Sequence, residues 1–172
     1  VSYEIHPETP AAGRPLSDYF GGADLGPMHE GLARRADEFG LRFAPPERLS
    51  NSRLAILTAE FARDHGREQT VRRRLFEAYF ADGLDIGDLD VLLKIATDEG
   101  LNTQVLRRSL KAGVLAPRIT QAETEARHRR ITGVPTFFFF TPDSEESVPV
   151  EAASVVGAQP LDTFRRVLDR LT

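Results

Sequence analysis

The side chains whose spacing most sharply marks thiol or metal chemistry form no such pattern in this sequence. Cysteine is absent, so these residues supply no disulfide, no thiolate nucleophile and no cysteine-ligated metal. His6, His29, His65 and His128 are scattered without a spacing such as HxxxH, so no zinc site is advertised. Asp82, Asp85, Asp88 and Asp90 have the density of a calcium loop. The glycine at its sixth position and the closing glutamate, however, do not fall into register. Arg72-Arg73-Arg74 and Arg127-His128-Arg129-Arg130 are charge runs on helical stretches, for which a solvated face is the default. The second lies near a helix C-terminus, where the dipole favours cations.

What remains is backbone chemistry. Thr132-Gly133-Val134-Pro135-Thr136 leads directly into Phe137–Phe140, a continuous apolar run of the kind found in a strand buried on both faces. Pro135 can stand at the first residue of that strand because the ladder does not yet need its missing N–H. An ordinary loop-to-strand junction accounts for the Val134-Pro135 pair equally well. Two polar residues sit at helix entries. Gln159 precedes a helix that opens on Pro160, where outward N–H groups attract anions. Asn51 stands among Ser50-Asn51-Ser52, all good N-cap types. A plain helix entry is the simpler account of both.

The elements that must position these residues are mostly helices. Ser2–His6 alternates around Tyr3 and Ile5 and stops at Pro7, which predicts a short strand. Pro7 to Gly26 is rich in proline and glycine and reads as a loop, with one helical turn at Leu16–Phe20. Helical stripes then follow one another, most of them stopped by glycine. Met28, Leu32, Ala36 and Phe39 end at Gly40, whose type suits the left-handed position past a helix. Leu54, Leu57 and Phe61 end at Gly66, and Val71, Leu75 and Tyr79 at Gly83. Asp88 caps a stripe of Leu92, Ile95 and Ala96. Asn102 or Thr103 opens one with Leu106 and Leu110, and Ile119, Ala122 and Ala126 mark another that runs to Gly133. Their irregular spacing excludes a repeat, and helices this short must pack on one another to persist. Thr141–Val150 is polar and acidic, a hairpin loop. Ser154–Val156 is a second strand, and Leu161, Phe164, Val167, Leu168 and Leu171 give the last helix an apolar face.

At 172 residues, 41% hydrophobic and 28% charged, the chain has the size and composition of one soluble domain, with room for a subdomain. A net charge of −4 gives no footprint for nucleic acid or for an acidic membrane surface. No apolar stretch approaches the roughly 18 residues of a membrane span. A cytoplasmic location is the expectation. The chain opens on Val1 rather than methionine, which suggests that residues precede it.

Taken in order, these pieces resemble the DsbA-type thioredoxin fold, in the branch of the FrnE-like proteins and the 2-hydroxychromene-2-carboxylate isomerases. The resemblance rests on Thr132-Gly133-Val134-Pro135-Thr136-Phe137 and Val156-Gly157-Ala158-Gln159-Pro160. Glu77-Ala78-Tyr79-Phe80 and Asp85-Ile86-Gly87-Asp88 are similar to the helical insertion of that family. It implies an α/β fold, a small thioredoxin-like sheet with a large helical insertion. The core would comprise residues 1–27 and 131–172, and the insertion residues 28–130. It also implies a cis bond at Val134-Pro135, at a concave surface where the backbone of Val134 pairs with an extended peptide or thiol substrate. Val134, Pro135 and Thr136 are then the substrate-binding residues, with Gln159 and Asn51 as weaker candidates.

The family opens with a strand and a CxxC or serine-containing turn, neither of which matches any segment here. Thiol–disulfide exchange needs a thiolate, so the resemblance implies that activity for a complete parent protein and no catalytic residue in this chain. A cysteine-free peptide-binding or chaperone-like module is one alternative. A glutathione-dependent isomerase or transferase is another, with glutathione as the cofactor and Gln159 near its carboxylate; otherwise no cofactor is implied. The missing strand would lie between Ser2–His6 and Thr136–Phe140, so the gap should be filled by an upstream segment, by a second copy, or by direct pairing of the flanking strands.

Overall fold

The computed structural model describes residues 4–141 and 150–171. They form two compact units, residues 1–123 and 124–172.

The first unit is helical. Its core helices are α3 (Arg53–Asp64), α4 (Glu68–Phe80), α5 (Leu89–Asp98) and α6 (Thr103–Ala112), joined by the first part of α7 (Ala116–His128). α3 runs through the middle, with Ala55, Leu57, Ala59, Phe61 and Ala62 all buried. Val71, Leu75 and Ala78 of α4 close on it, with Leu92, Ile95 and Ala96 of α5, Leu106 of α6 and Ile119 of α7. Each such leucine or isoleucine contributes about 1.5–3 kcal/mol by leaving water. The ends of these helices follow from local chemistry. The Asp88 carboxylate accepts the N–H of Asp90, and the Asn102 side chain accepts those of Gln104 and Val105; both satisfy orphan donors of a first turn. Gly113 stops α6 at φ 66°, a conformation that costs a side-chain-bearing residue about 1–2 kcal/mol.

Two carboxylates are buried in this unit among the described residues, Glu4 at 6% exposed and, deeper still, Glu60. Glu60 on α3 is only 4% exposed. Its carboxylate accepts from Arg63 at 2.8 Å and Arg118 at 3.5 Å, with Arg72 at 3.9 Å. Converging guanidinium groups are what make a buried carboxylate tolerable.

Around this core lie α1 (Leu16–Tyr19), α2 (Gly26–Glu38) and a small antiparallel pair, β1 (Arg14–Pro15) with β2 (Arg48–Leu49). Three expectations change here. Glu4–His6 is not a strand, and Ser2 and Tyr3 lie outside the described residues. The segment is instead held by side chains. Glu4 pairs with Arg53 at 2.5 Å, and the His6 ring with the Tyr19 hydroxyl at 3.0 Å. A turn follows at once, Thr9 donating to the His6 carbonyl. α2 forms where its periodicity places it, but it buries none of its residues. Met28 is 41% and Leu32 46% exposed, so its apolar stripe does not join the core. Tyr79 is half-buried rather than inward, because its hydroxyl donates to the Arg48 carbonyl at 2.6 Å. Leu57, Phe61, Leu75, Leu92 and Leu106 are buried as the stripes require.

The second unit comprises the end of α7, an antiparallel pair of β3 (Thr136–Thr141) with β4 (Val150–Val156), and α8 (Leu161–Leu168). The connection expected as a hairpin loop lies largely outside the described residues. The ladder pairs Thr136 with Val156 and Phe137 with Val155, and a register shift falls between Phe139 and Phe140. The phenylalanine run is a strand, but not one buried on both faces. Phe137 is 40% and Phe140 44% exposed. Phe137 meets Phe164 of α8 edge-on, with centroids 4.9 Å apart, while the Arg129 guanidinium covers the Phe138 ring at 4.9 Å. Alternating sides thus have different covers, a ring on one and a cation on the other. Among the described residues β3 pairs with β4 alone.

Candidate functional site

Val134, Pro135, Thr136 and Gln159 come together at one end of the β3–β4 hairpin. Pro135 immediately precedes β3, and the Val134–Pro135 bond is cis, as the resemblance implies. Four hydrogen bonds fix the turn. The Thr136 hydroxyl donates to the Gly133 carbonyl at 2.6 Å. The Gly157 N–H, one residue past β4, donates to the Pro135 carbonyl at 2.7 Å. Gln159 donates its side-chain amide to the Val156 carbonyl at 3.0 Å, and its backbone N–H to Gly157 at 3.0 Å.

Close packing accompanies the bonding. A methyl group placed on Gly133 would lie 3.1 Å from Val156, tighter than ordinary van der Waals contact. Gly157 sits at φ 84°, which few side chains permit.

Val134 is left differently. It is 46% exposed, and its backbone N–H and C=O bond to no other described residue. Backbone groups left unpaired in an exposed residue at the head of a strand offer a template for an added extended chain.

Asn51 belongs to the other unit and is occupied. Its amide donates to the Thr9 carbonyl at 2.7 Å, and its oxygen accepts the Arg53 N–H at 3.0 Å. It shapes the entry to α3. Gln159 is likewise engaged, although its exposed position leaves other hydrogen-bonding capacity. The arginine runs are taken up by neighbours: Arg72 by Glu68 at 2.8 Å, Arg73 by Glu77 at 2.8 Å, Arg129 by Glu125. Asp85 accepts the Gly87 N–H within the acidic loop, and Asp82 pairs with Arg42 outside it. Among the described residues no cluster of histidine, aspartate and glutamate could hold a metal, and no helix is long and apolar enough to cross a membrane.

Sequence reasoning missed the Gly157–Pro135 bond and the Arg129 cover. The glycine in Val156-Gly157-Ala158-Gln159-Pro160 was the signal for the first. Nothing in the pattern of Arg127–Arg130 marked which arginine faces the strand.

With this geometry, three comparisons bear on the chain. The family model for the DSBA-like thioredoxin domain matches residues 2–169. The crystal structure of a probable DsbA oxidoreductase from Streptomyces coelicolor superposes with a TM-score of 0.83 at 23% identity, covering 99% of this chain and 73% of that one. The uncharacterized protein YwbO of Bacillus subtilis (strain 168) is 32% identical over 85 residues, which are 49% of this chain and 42% of that relative. The chain thus spans less than half the length of this curated relative in the region it matches. The fold is the α/β thioredoxin-like fold of DsbA type, with its helical insertion. The chain belongs to the family of DSBA-like thioredoxin domains.

Proposed function

We propose that the Val134–Thr136 turn receives an extended peptide, and that the whole protein acts on such peptides as a thiol–disulfide oxidoreductase. The observation that carries the proposal is Val134 at the head of β3, an exposed residue whose backbone groups bond to no other described residue. A peptide strand laid there gains main-chain hydrogen bonds without displacing any. Pro135 and Thr136 hold the turn in shape, and Gln159 braces it from the far strand. These residues contain no cysteine, so the thiolate of the reaction comes from elsewhere in the whole protein and this chain contributes substrate positioning. Membership of the family supports the redox assignment, as does likeness to the Streptomyces protein, itself a probable DsbA oxidoreductase. The same neighbour is the longer chain, and β3 pairs on one edge only among the described residues. Both support a further strand, from an upstream segment or a second copy, against its open edge. In this reading residues 1–27 and 131–172 are the thioredoxin-like core and 28–130 its insertion.

A fluorescein-labelled peptide rich in valine and threonine tests the turn. Its anisotropy should rise on titration with the chain. Val134→Pro, which removes the N–H, should abolish the rise, whereas Val134→Ala should retain it. Equal binding by Val134→Pro would remove the basis of the proposal.

A further inference from the structure

Helices α2, α3, α5 and α7 are closed in the same way, by Gly40, Gly66, Gly100 and Arg130 respectively. In each, the N–H of the closing residue donates three residues back and the next N–H five residues back. After α7 these bonds run from Arg130 to Arg127 at 3.0 Å and from Ile131 to Ala126 at 2.9 Å. The closing residue is left-handed every time, at φ 64°, 67°, 73° and 52°. Glycine takes that conformation without a side-chain penalty. Arg130 is the one residue other than glycine with a positive φ among the described residues. The closure does not need a side chain, since glycine makes the same bonds after the other three helices. A side chain held in a disfavoured backbone region points to a function for that side chain.

The guanidinium of Arg130 also lies outside the pairing that engages the other arginines of its run. Arg127 donates to the Thr124 hydroxyl at 3.1 Å, and Arg129 pairs with Glu125 and covers Phe138. Arg130 is exposed, and its side chain has no hydrogen bond, ion pair or ring contact with any described residue. It precedes Val134 by four residues, so the two Cα atoms lie no more than about 14 Å apart. Across residues 130–138 and 155–162, which carry the turn and the helix entry beside it, the only other charged residue is Asp162. Arg165 holds that carboxylate at 3.1 Å. The turn at Val134 therefore stands beside one uncompensated positive charge.

We infer that Arg130 selects the charge of the peptide received at Val134, favouring one with a glutamate or aspartate close to the residue that pairs with Val134. The inference rests on the proposed peptide-binding turn and adds to it a class of substrate. A carboxylate on the added strand meets the guanidinium as an exposed ion pair, whose attraction is modest and screened by salt. A lysine in its place is repelled, so the same charge discriminates against basic peptides.

Three fluorescein-labelled peptides rich in valine and threonine, identical except for glutamate, glutamine or lysine at both ends, test this by anisotropy at neutral pH and low salt. The glutamate peptide should bind about 1.5-fold to fivefold more tightly than the glutamine peptide, the range for an exposed ion pair. The lysine peptide should bind more weakly than both, and about 1 M salt should remove the differences. Arg130→Gly should bind all three alike, at the parent's affinity for the glutamine peptide. Because glycine suits the left-handed position, that variant should melt no lower than the parent, so a folding defect does not explain the lost preference. Equal affinity of the parent for the glutamate and glutamine peptides, with Val134→Pro still abolishing binding, would overturn the role of Arg130 and leave the turn standing. A preference that persists in Arg130→Gly would overturn it as well. Failure of all three peptides to bind the parent would remove the turn and this inference with it.

Discussion

The backbone N–H of Gly157 donates to the carbonyl of Pro135 at 2.7 Å. That bond ties the residue after β4 to the residue before β3, at the end of the hairpin where Val134 is exposed. Gly157 adopts φ 84° to make it, and a methyl group there would lie 3.4 Å from the Gln159 amide. Gly157→Ala should therefore lower stability by about 1–2 kcal/mol through backbone conformation. It should also weaken peptide binding at Val134. Thermal unfolding and peptide anisotropy measure the two effects; an unchanged melting temperature contradicts the first.

Cysteine is absent from all 172 residues. The purified chain should therefore not accelerate reduction of insulin by dithiothreitol above the uncatalysed rate, because exchange requires a thiolate on the catalyst. Acceleration proportional to chain concentration would show a redox route that these side chains do not provide.

Leu92 and Leu106 are fully buried, whereas Leu32 is 46% exposed. Leu92→Ala and Leu106→Ala should each cost about 2–5 kcal/mol, the range for a leucine truncated inside a packed core. Leu32→Ala should change stability by less than about 0.5 kcal/mol. Urea denaturation distinguishes them. A large loss at Leu32 would mean that α2 is covered in solution.

The Glu68 carboxylate is held well below its ordinary value of 4.5, at about 2. The largest cause is the hydrogen bond from Arg63; partial burial opposes it, and Arg72 adds to it. A depressed carboxylate pKa gives stability that is present above the unfolded-state value and lost as pH falls through the folded one. The contribution should be complete above about pH 4.5 and disappear towards pH 2. Glu68→Gln should consequently be destabilising at pH 7 and close to neutral at pH 2. Denaturation midpoints of both proteins across that interval provide the check, and parallel pH profiles would refute it.

The helical core was legible because its signals are local. Asp88 and Asn102 are caps whose side chains act within two or three residues, and the buried positions of α3 to α6 recur at helical spacing. The turn at Val134 was legible through family resemblance rather than periodicity. Other features depend on partners distant in the chain. β1 and β2 are two residues each, too short for any alternation to appear. Ile5 and Tyr3 suggested a strand, but the pairing of Glu4 with Arg53 and His6 with Tyr19 could not be read from their neighbours. Phe137–Phe140 looked equally apolar throughout. Only the positions of Phe164 and Arg129 reveal that its two sides are covered by different chemistry. Asn51 stands among capping types and accepts the Arg53 N–H from the residue before the Ser52 cap, yet its link to Thr9 spans residues no local pattern connects.

The register shift between Phe139 and Phe140 has a mechanical consequence. A regular hairpin can slide by a residue pair and recover most of its ladder, but an irregular one must carry its extra residue along with any slide. Sliding β4 by one position would also turn Val155, which is buried opposite Phe137, to the other face, and would pull Gly157 away from Pro135. The irregularity in the middle of the ladder thus acts as a detent, fixing the distance from the phenylalanines to the turn at Val134.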